Sequence, residues 1–153
     1  MIDWFVKAFL KAALLWFSCA IALAVAMAIV PALIVYRTAH LHLALLGFVT
    51  QMLYGVALHV IPRFFGQPLL YPRLAGVQFW TAQSGLVGLV TGFVLRTLGV
   101  GVAPVFLSAG ALLSATGAAC FVVNIWRTMD ASPMQTINAH GRALPLMPQA
   151  DAH

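Results

Sequence analysis

Residues 39–62 read AHLHLALLGFVTQMLYGVALHVIP. The stretch is long enough to cross a bilayer, for which about 20 apolar residues suffice. It nevertheless holds three histidines, His40, His42 and His59. An ionisable side chain at membrane depth is costly, so it reads by default as part of a functional site. Imidazole is also the commonest side chain for holding a metal or the iron of a haem.

Helical geometry separates the three. At about 100° per residue, His40 and His42 point to nearly opposite sides and cannot grip one metal together from one helix. Each must face a different neighbour. His59 lies roughly 26–28 Å further along at 1.5 Å per residue, near the other membrane surface. Gly47 falls on the face of His40, and Gln51, Tyr54 and Gly55 continue that face. A glycine beneath a histidine has two readings. It leaves a flat space where a planar group approaches the backbone, or it lets two helices pack closely.

Composition places this stretch in a membrane protein. Of the residues, 63% are hydrophobic and 7% charged, which excludes a soluble domain and points to an all-α integral membrane fold. There is no glutamate, and the only acids are Asp3, Asp130 and Asp151, near the ends. Carboxylate pairs for acid–base catalysis are therefore missing from the membrane region. So are the acidic chains that carry protons through pumps. The net charge of +5 comes from basic residues between apolar runs, which reflects membrane topology and not nucleic-acid binding. Cys19 and Cys120 lie in apolar runs without metal-motif spacing or a CxxCH signature, and read as small buried residues.

Working outward, the pattern predicts a four-transmembrane-helix bundle over residues 1–128, with helices at about 10–34, 38–62, 74–98 and 102–127. A polar cytoplasmic tail, 129–153, follows and carries His140 and His153 as solvated side chains. Residues 1–11 read as an amphipathic lead-in, and the apolar run behind them is too long for a signal peptide. Pro31 ends or bends the first helix. Arg37 and Thr38 form a very short turn to an antiparallel neighbour. Pro62 and Arg63 close the second helix, 64–73 is a proline-broken loop, and Gly99-Val100-Gly101 is the last turn. Gly85, Gly88 and Gly92 in the third helix, with Gly110, Ser114 and Gly117 in the fourth, predict close helix packing. Lys7, Lys11, Arg63, Arg73, Arg127 and Arg142 fall on one side, against Arg37 and Arg96 on the other. That bias places both termini in the cytoplasm of a bacterial-type inner membrane, with His40 and His42 near the outer surface.

His-x-His at a helix start, a mid-helix Gly, a second His and then Pro form a recognisable set: His40, His42, Gly55, His59 and Pro62. This helix resembles the tenth helix of the haem–copper oxidase catalytic subunit (subunit I), and the resemblance is confined to residues 39–62. In that family the first histidine of the pair binds the active-site haem and the second binds the low-spin haem. The resemblance thus implies haem b, with His40 and His42 as iron ligands on opposite sides of the helix. The family's copper-ligand motif, a His followed by Pro-Glu and a later His-His pair, has no match here, so oxygen reduction at a copper site is not expected, while copper binding itself stays open.

The oxidase subunit consists of three quasi-equivalent arcs of four helices, with the second helix of each arc lining the centre. By analogy this chain is one haem–copper-oxidase-like arc that forms a homo-oligomer, a trimer in the simplest case. Haems would then lie between neighbouring second helices, with His42 of one chain and His40 of the next as the axial pair. The alternative is one haem on one histidine with a weaker ligand such as Met27, leaving iron able to take oxygen or nitric oxide. Arg37, one turn before His40, either pairs with haem propionates or anchors the helix at the interface. His59 has support from the resemblance, and otherwise bonds a carbonyl or water. The expected function is electron transfer or gas binding, an oxidoreductase if enzymatic, with a cytochrome or quinol as redox partner. Against it stand a non-haem structural or assembly subunit and a small transporter or channel lined by His40, His42, Gln51 and His59.

Overall fold

A computed structural model describes residues 3–131. The polar tail beyond, with His140, Arg142 and His153, lies outside the described residues. The chain is all-helical, with no strand among the described residues. The first helix spans Trp4–Ile29. The second helical body spans Pro31–Phe64, the third helix Pro72–Thr97 and the fourth Ala103–Asp130.

Three of these, Trp4–Ile29, Pro31–Phe64 and Ala103–Asp130, are long and apolar enough to cross a membrane. The third helix has the length but carries Gln78, Thr81, Gln83 and Ser84 mid-way. It lies at the centre of the bundle, packed against all three others. Gln78 is fully buried and Gln83 partly so, so this helix turns much of its polarity toward protein.

The first connection differs from expectation. The first helix begins at Trp4, so the lead-in belongs to it, and Phe5, Val6 and Phe9 are core residues. It stops at Ile29, five residues earlier than predicted, because Pro31 disfavours helical geometry at the preceding residue. Val30 is indeed extended, with φ −119° and ψ 92°. Pro31 then opens the next body as a 3-10 segment, Pro31–Tyr36, where its missing N–H does no harm. Arg37 and Thr38 are accordingly inside a helix (Arg37–His42) and not in a turn.

Immediately after the histidine pair the helix widens into a π segment, Leu43–Val49, before resuming as Thr50–Phe64. At the rejoining point the Thr50 N–H and hydroxyl both reach the carbonyl of Leu45, five residues back, the hydroxyl at 2.9 Å. Such wide turns cluster at functional sites.

The other two connections follow the sequence more closely. The second and third helices each end on a glycine with positive φ, Gly66 (65°) and Gly99 (72°). These are the left-handed positions that a glycine cap fills without strain. Neighbouring helices run antiparallel. Gly55 meets Leu10 and Phe9, and Gly47 meets Trp16. The tightest seam is between the third and fourth helices. A Cβ on Gly110 would stand 2.5 Å from the Leu89 nitrogen, and one on Gly85 would stand 2.5 Å from the Ser114 nitrogen. Backbones touch there because side chains are missing, as the small-residue spacing predicts.

The loop 65–71 is fastened to the end of the fourth helix. Asn124, fully buried, donates from Nδ2 to the Tyr71 carbonyl (2.9 Å) and accepts the Tyr71 N–H (3.2 Å). Thr128, also fully buried, accepts the Leu70 N–H on its hydroxyl at 3.1 Å. Gln67 donates to the Thr128 carbonyl at 2.6 Å.

Candidate functional site

The single turn Arg37–His42 carries both members of the histidine pair, and they face different neighbours. His40 lies against the first helix, its Nδ1 3.1 Å from the Ala20 carbonyl oxygen. His42 faces the third helix, its ring 4.6 Å from that of Phe93, and its Nδ1 is 2.9 Å from the Thr38 carbonyl oxygen one turn back. A carbonyl can only accept, so in each case Nδ1 carries the proton and donates it. In the neutral ring that leaves the Nε2 lone pair free. Metal-bound histidines are oriented in this way, with the second ring nitrogen donating to a carbonyl or carboxylate.

His59 has the opposite arrangement. Arg63 Nη1 donates to His59 Nδ1 at 2.7 Å and to the His59 carbonyl at 2.6 Å. A neutral His59 that accepts at Nδ1 must carry its proton on Nε2. Its partner is thus an arginine on its own helix, where a carbonyl or water was expected.

The flat space anticipated at Gly47 is absent. Gly47 does share the side of His40 that faces the first helix, but Trp16 and Leu86 fill the position. A Cβ there would come within 2.7 Å of Trp16 Cβ. Close packing is therefore the role of this glycine, because the bulky indole needs a side chain missing opposite it. The indole also anchors a buried polar chain. Trp16 Nε1 donates to Gln83 Oε1 (2.8 Å), and Gln83 Nε2 donates to Gln51 Oε1 (3.0 Å). The chain joins three helices, and Gln51 at its end is buried in the bundle.

Beside His42, a groove of about 480 Å³ opens between the start of the second body and the end of the third helix. Phe93, Arg96, Ala39, Thr38 and Tyr36 line it. Arg37 is exposed at the same end of the bundle, but the guanidinium at the groove belongs to Arg96. In the sequence Arg96 stands out only as one of two basic residues on its side of the bundle. Nothing in the chain pairs it with His42, 54 residues earlier; only the antiparallel register does. Met27 lies on the first helix two turns beyond Ala20. Cys19 and Cys120 are free and partly buried. Among the described residues no group of three or more His, Cys, Asp or Glu side chains converges to hold a metal ion. No protein-family model, curated protein or solved structure matches this chain.

Proposed function

We propose that this chain is a b-type haem protein of a bacterial-type inner membrane, with His42 and His40 as axial ligands, and that it carries electrons. The observation that carries the reading is that both histidines of the pair turn Nδ1 toward a backbone carbonyl. Both Nδ1 atoms are committed to backbone carbonyls, at 2.9 and 3.1 Å, which leaves both Nε2 atoms for iron. The donor set fits a haem. Two neutral imidazoles suffice for its iron, whereas a bare ion would ask for more ligands than converge here.

The two rings face opposite sides of one helix, so one chain cannot supply both ligands to one iron. The two histidines holding the iron would then be His42 of one copy and His40 of the next, in a closed homo-oligomer of the trimer kind with equivalent interfaces. The resemblance of residues 39–62 to the oxidase helix supports this arc-like assembly. Arg96 at the groove beside His42, and Arg37 at the same end, would hold carboxylate groups of the macrocycle by charge-assisted hydrogen bonds. A haem held by two imidazoles would supply one-electron redox chemistry, which suits electron transfer with a cytochrome or quinol partner. His59 takes no part, since its Nε2 carries the proton. Charge supports the orientation. Lys7, Lys11, Arg63, Arg73 and Arg127 lie at one end of the bundle and Arg37 and Arg96 at the other, a bias that supports an orientation with the five-cation end toward the cytoplasm.

A second reading, a structural membrane subunit without haem, is favoured by one observation: Trp16 and Leu86 occupy the space at Gly47. Absorption spectra of the detergent-purified protein, oxidised and dithionite-reduced, separate the two. The haem reading expects sharp reduced α and β bands that survive His59→Ala and vanish in His42→Ala. A featureless spectrum from protein expressed with ample haem would contradict it and leave the structural subunit.

A further inference from the structure

At the end of the bundle opposite the histidine pair, a groove of about 810 Å³ runs between the start of the third helix and the end of the fourth. Its floor and rim are apolar, with Leu70, Tyr71, Val77 and Val123, and two guanidinium groups, Arg73 and Arg127, line it as well. We propose that this groove is a binding site for an anionic phospholipid. The phosphate would lie between Arg73 and Arg127, and an acyl chain along Val77 and Val123.

Three observations point to a lipid. The first is charge. This end of the bundle carries Lys7, Lys11, Arg63, Arg73 and Arg127, against Asp3 and Asp130 as its only acids among the described residues. Two arginines on one groove suit a phosphodiester.

The second is depth. Trp126, next to Arg127, and Trp80, two turns into the third helix, are 66% and 64% exposed, as befits an interfacial aromatic belt. The arginines thus stand at headgroup level. Val77 lies about 7 Å further along its helix than Pro72, at 1.5 Å per residue. It and Val123 are about half exposed, on a surface that hydrocarbon would cover. An acidic peptide would find charge here but no use for the apolar channel leading into the bilayer.

The third is rigidity. Asn124 and Thr128 pin Tyr71 and Leu70 through three hydrogen bonds of 2.9–3.2 Å. Both are fully buried, so the segment leading into Arg73 is fixed against the helix that carries Arg127. A preformed cradle loses little freedom on binding. The proposal does not depend on the haem reading.

The test uses the delipidated full chain in neutral detergent, titrated with short-chain phosphatidylglycerol or phosphatidylcholine while thermal unfolding is followed. Wild type and a Lys7→Gln/Lys11→Gln control should bind phosphatidylglycerol about tenfold more tightly than phosphatidylcholine. In Arg73→Gln/Arg127→Gln that preference should fall to within about twofold. Equal binding of the two lipids by wild type would overturn the site. So would an equal loss in the lysine control, which would mean a diffuse field, or equal stabilisation by inorganic phosphate alone, which would mean an anion site without a lipid. If the double arginine variant does not fold, Val77→Trp replaces it. Filling the acyl path with both arginines intact should abolish the preference, and unchanged lipid binding would refute the proposal.

Discussion

At the scale of single residues, the two glutamines of the third helix make opposite predictions. Gln78 has no exposed surface, and neither its amide nitrogen nor its oxygen has a partner among the described residues. A buried, unpaired amide costs about 1–3 kcal/mol on the protein mutational scale. Replacing it with methionine of similar length should therefore stabilise the fold by about 1–2 kcal/mol in reversible unfolding in mixed micelles. Gln83 is the reverse case, because it accepts from Trp16 and donates to Gln51. Gln83→Leu breaks two interhelical bonds and strands an indole N–H and an amide oxygen. Membrane hydrogen bonds contribute only about 0.6 kcal/mol each on average, but the stranded groups add to that, so the expected loss is about 1–3 kcal/mol. Trp16 emission would shift with it. That His40 and His42 look in opposite directions was legible, because a two-residue offset on any helix separates side chains by about 200°. Which ring nitrogen is free was not legible, since it depends on carbonyls at Ala20 and Thr38. The partner of His59 was one turn away in the sequence, but reading it required knowing that the helix continues unbroken to Phe64.

At the scale of elements, glycine spacing gave a reliable account of the seam between the third and fourth helices. A Cβ on Gly110 would collide with the backbone of Leu89 and Gly88, at 2.5 and 2.8 Å, and backbone cannot swing aside as a side chain can. Gly110→Ala should therefore destabilise the bundle by about 1–3 kcal/mol or more. Gly101→Ala, with nothing within 4 Å of the new methyl, should leave the melting temperature within a degree or two, as surface substitutions do. Differential scanning fluorimetry of the two variants decides the point. Helix number, the glycine-capped turn at Gly99 and the loop after Pro62 were all legible from turn chemistry. The first connection was misjudged because Arg37 looked like a polar break, whereas Pro31 is the stronger terminator through its effect on Val30. The π segment left no sequence signal. It resolves at Thr50, whose hydroxyl and N–H share one carbonyl, and any mid-helix threonine looks the same on paper.

At the scale of the whole molecule, the apolar composition resolves into three helices long and apolar enough to cross a membrane. The third has the length of a span but a more polar middle, and Gln83 in it bonds to neighbouring helices, a fact visible only once the bundle is assembled. The same assembly puts five cations at one end and the histidine pair with Arg37 and Arg96 at the other. A haem shared between copies through His42 and His40 would show itself in the haem content per chain. The pyridine haemochrome of wild type, of His40→Ala, of His42→Ala, and of an oligomer co-assembled from both variants would be measured together. Haem near one per chain in wild type, none in either variant alone, and recovery of about a quarter of the sites in the random mixture is the predicted outcome. Wild type without haem, or a variant mixture as empty as its parts, would contradict the account.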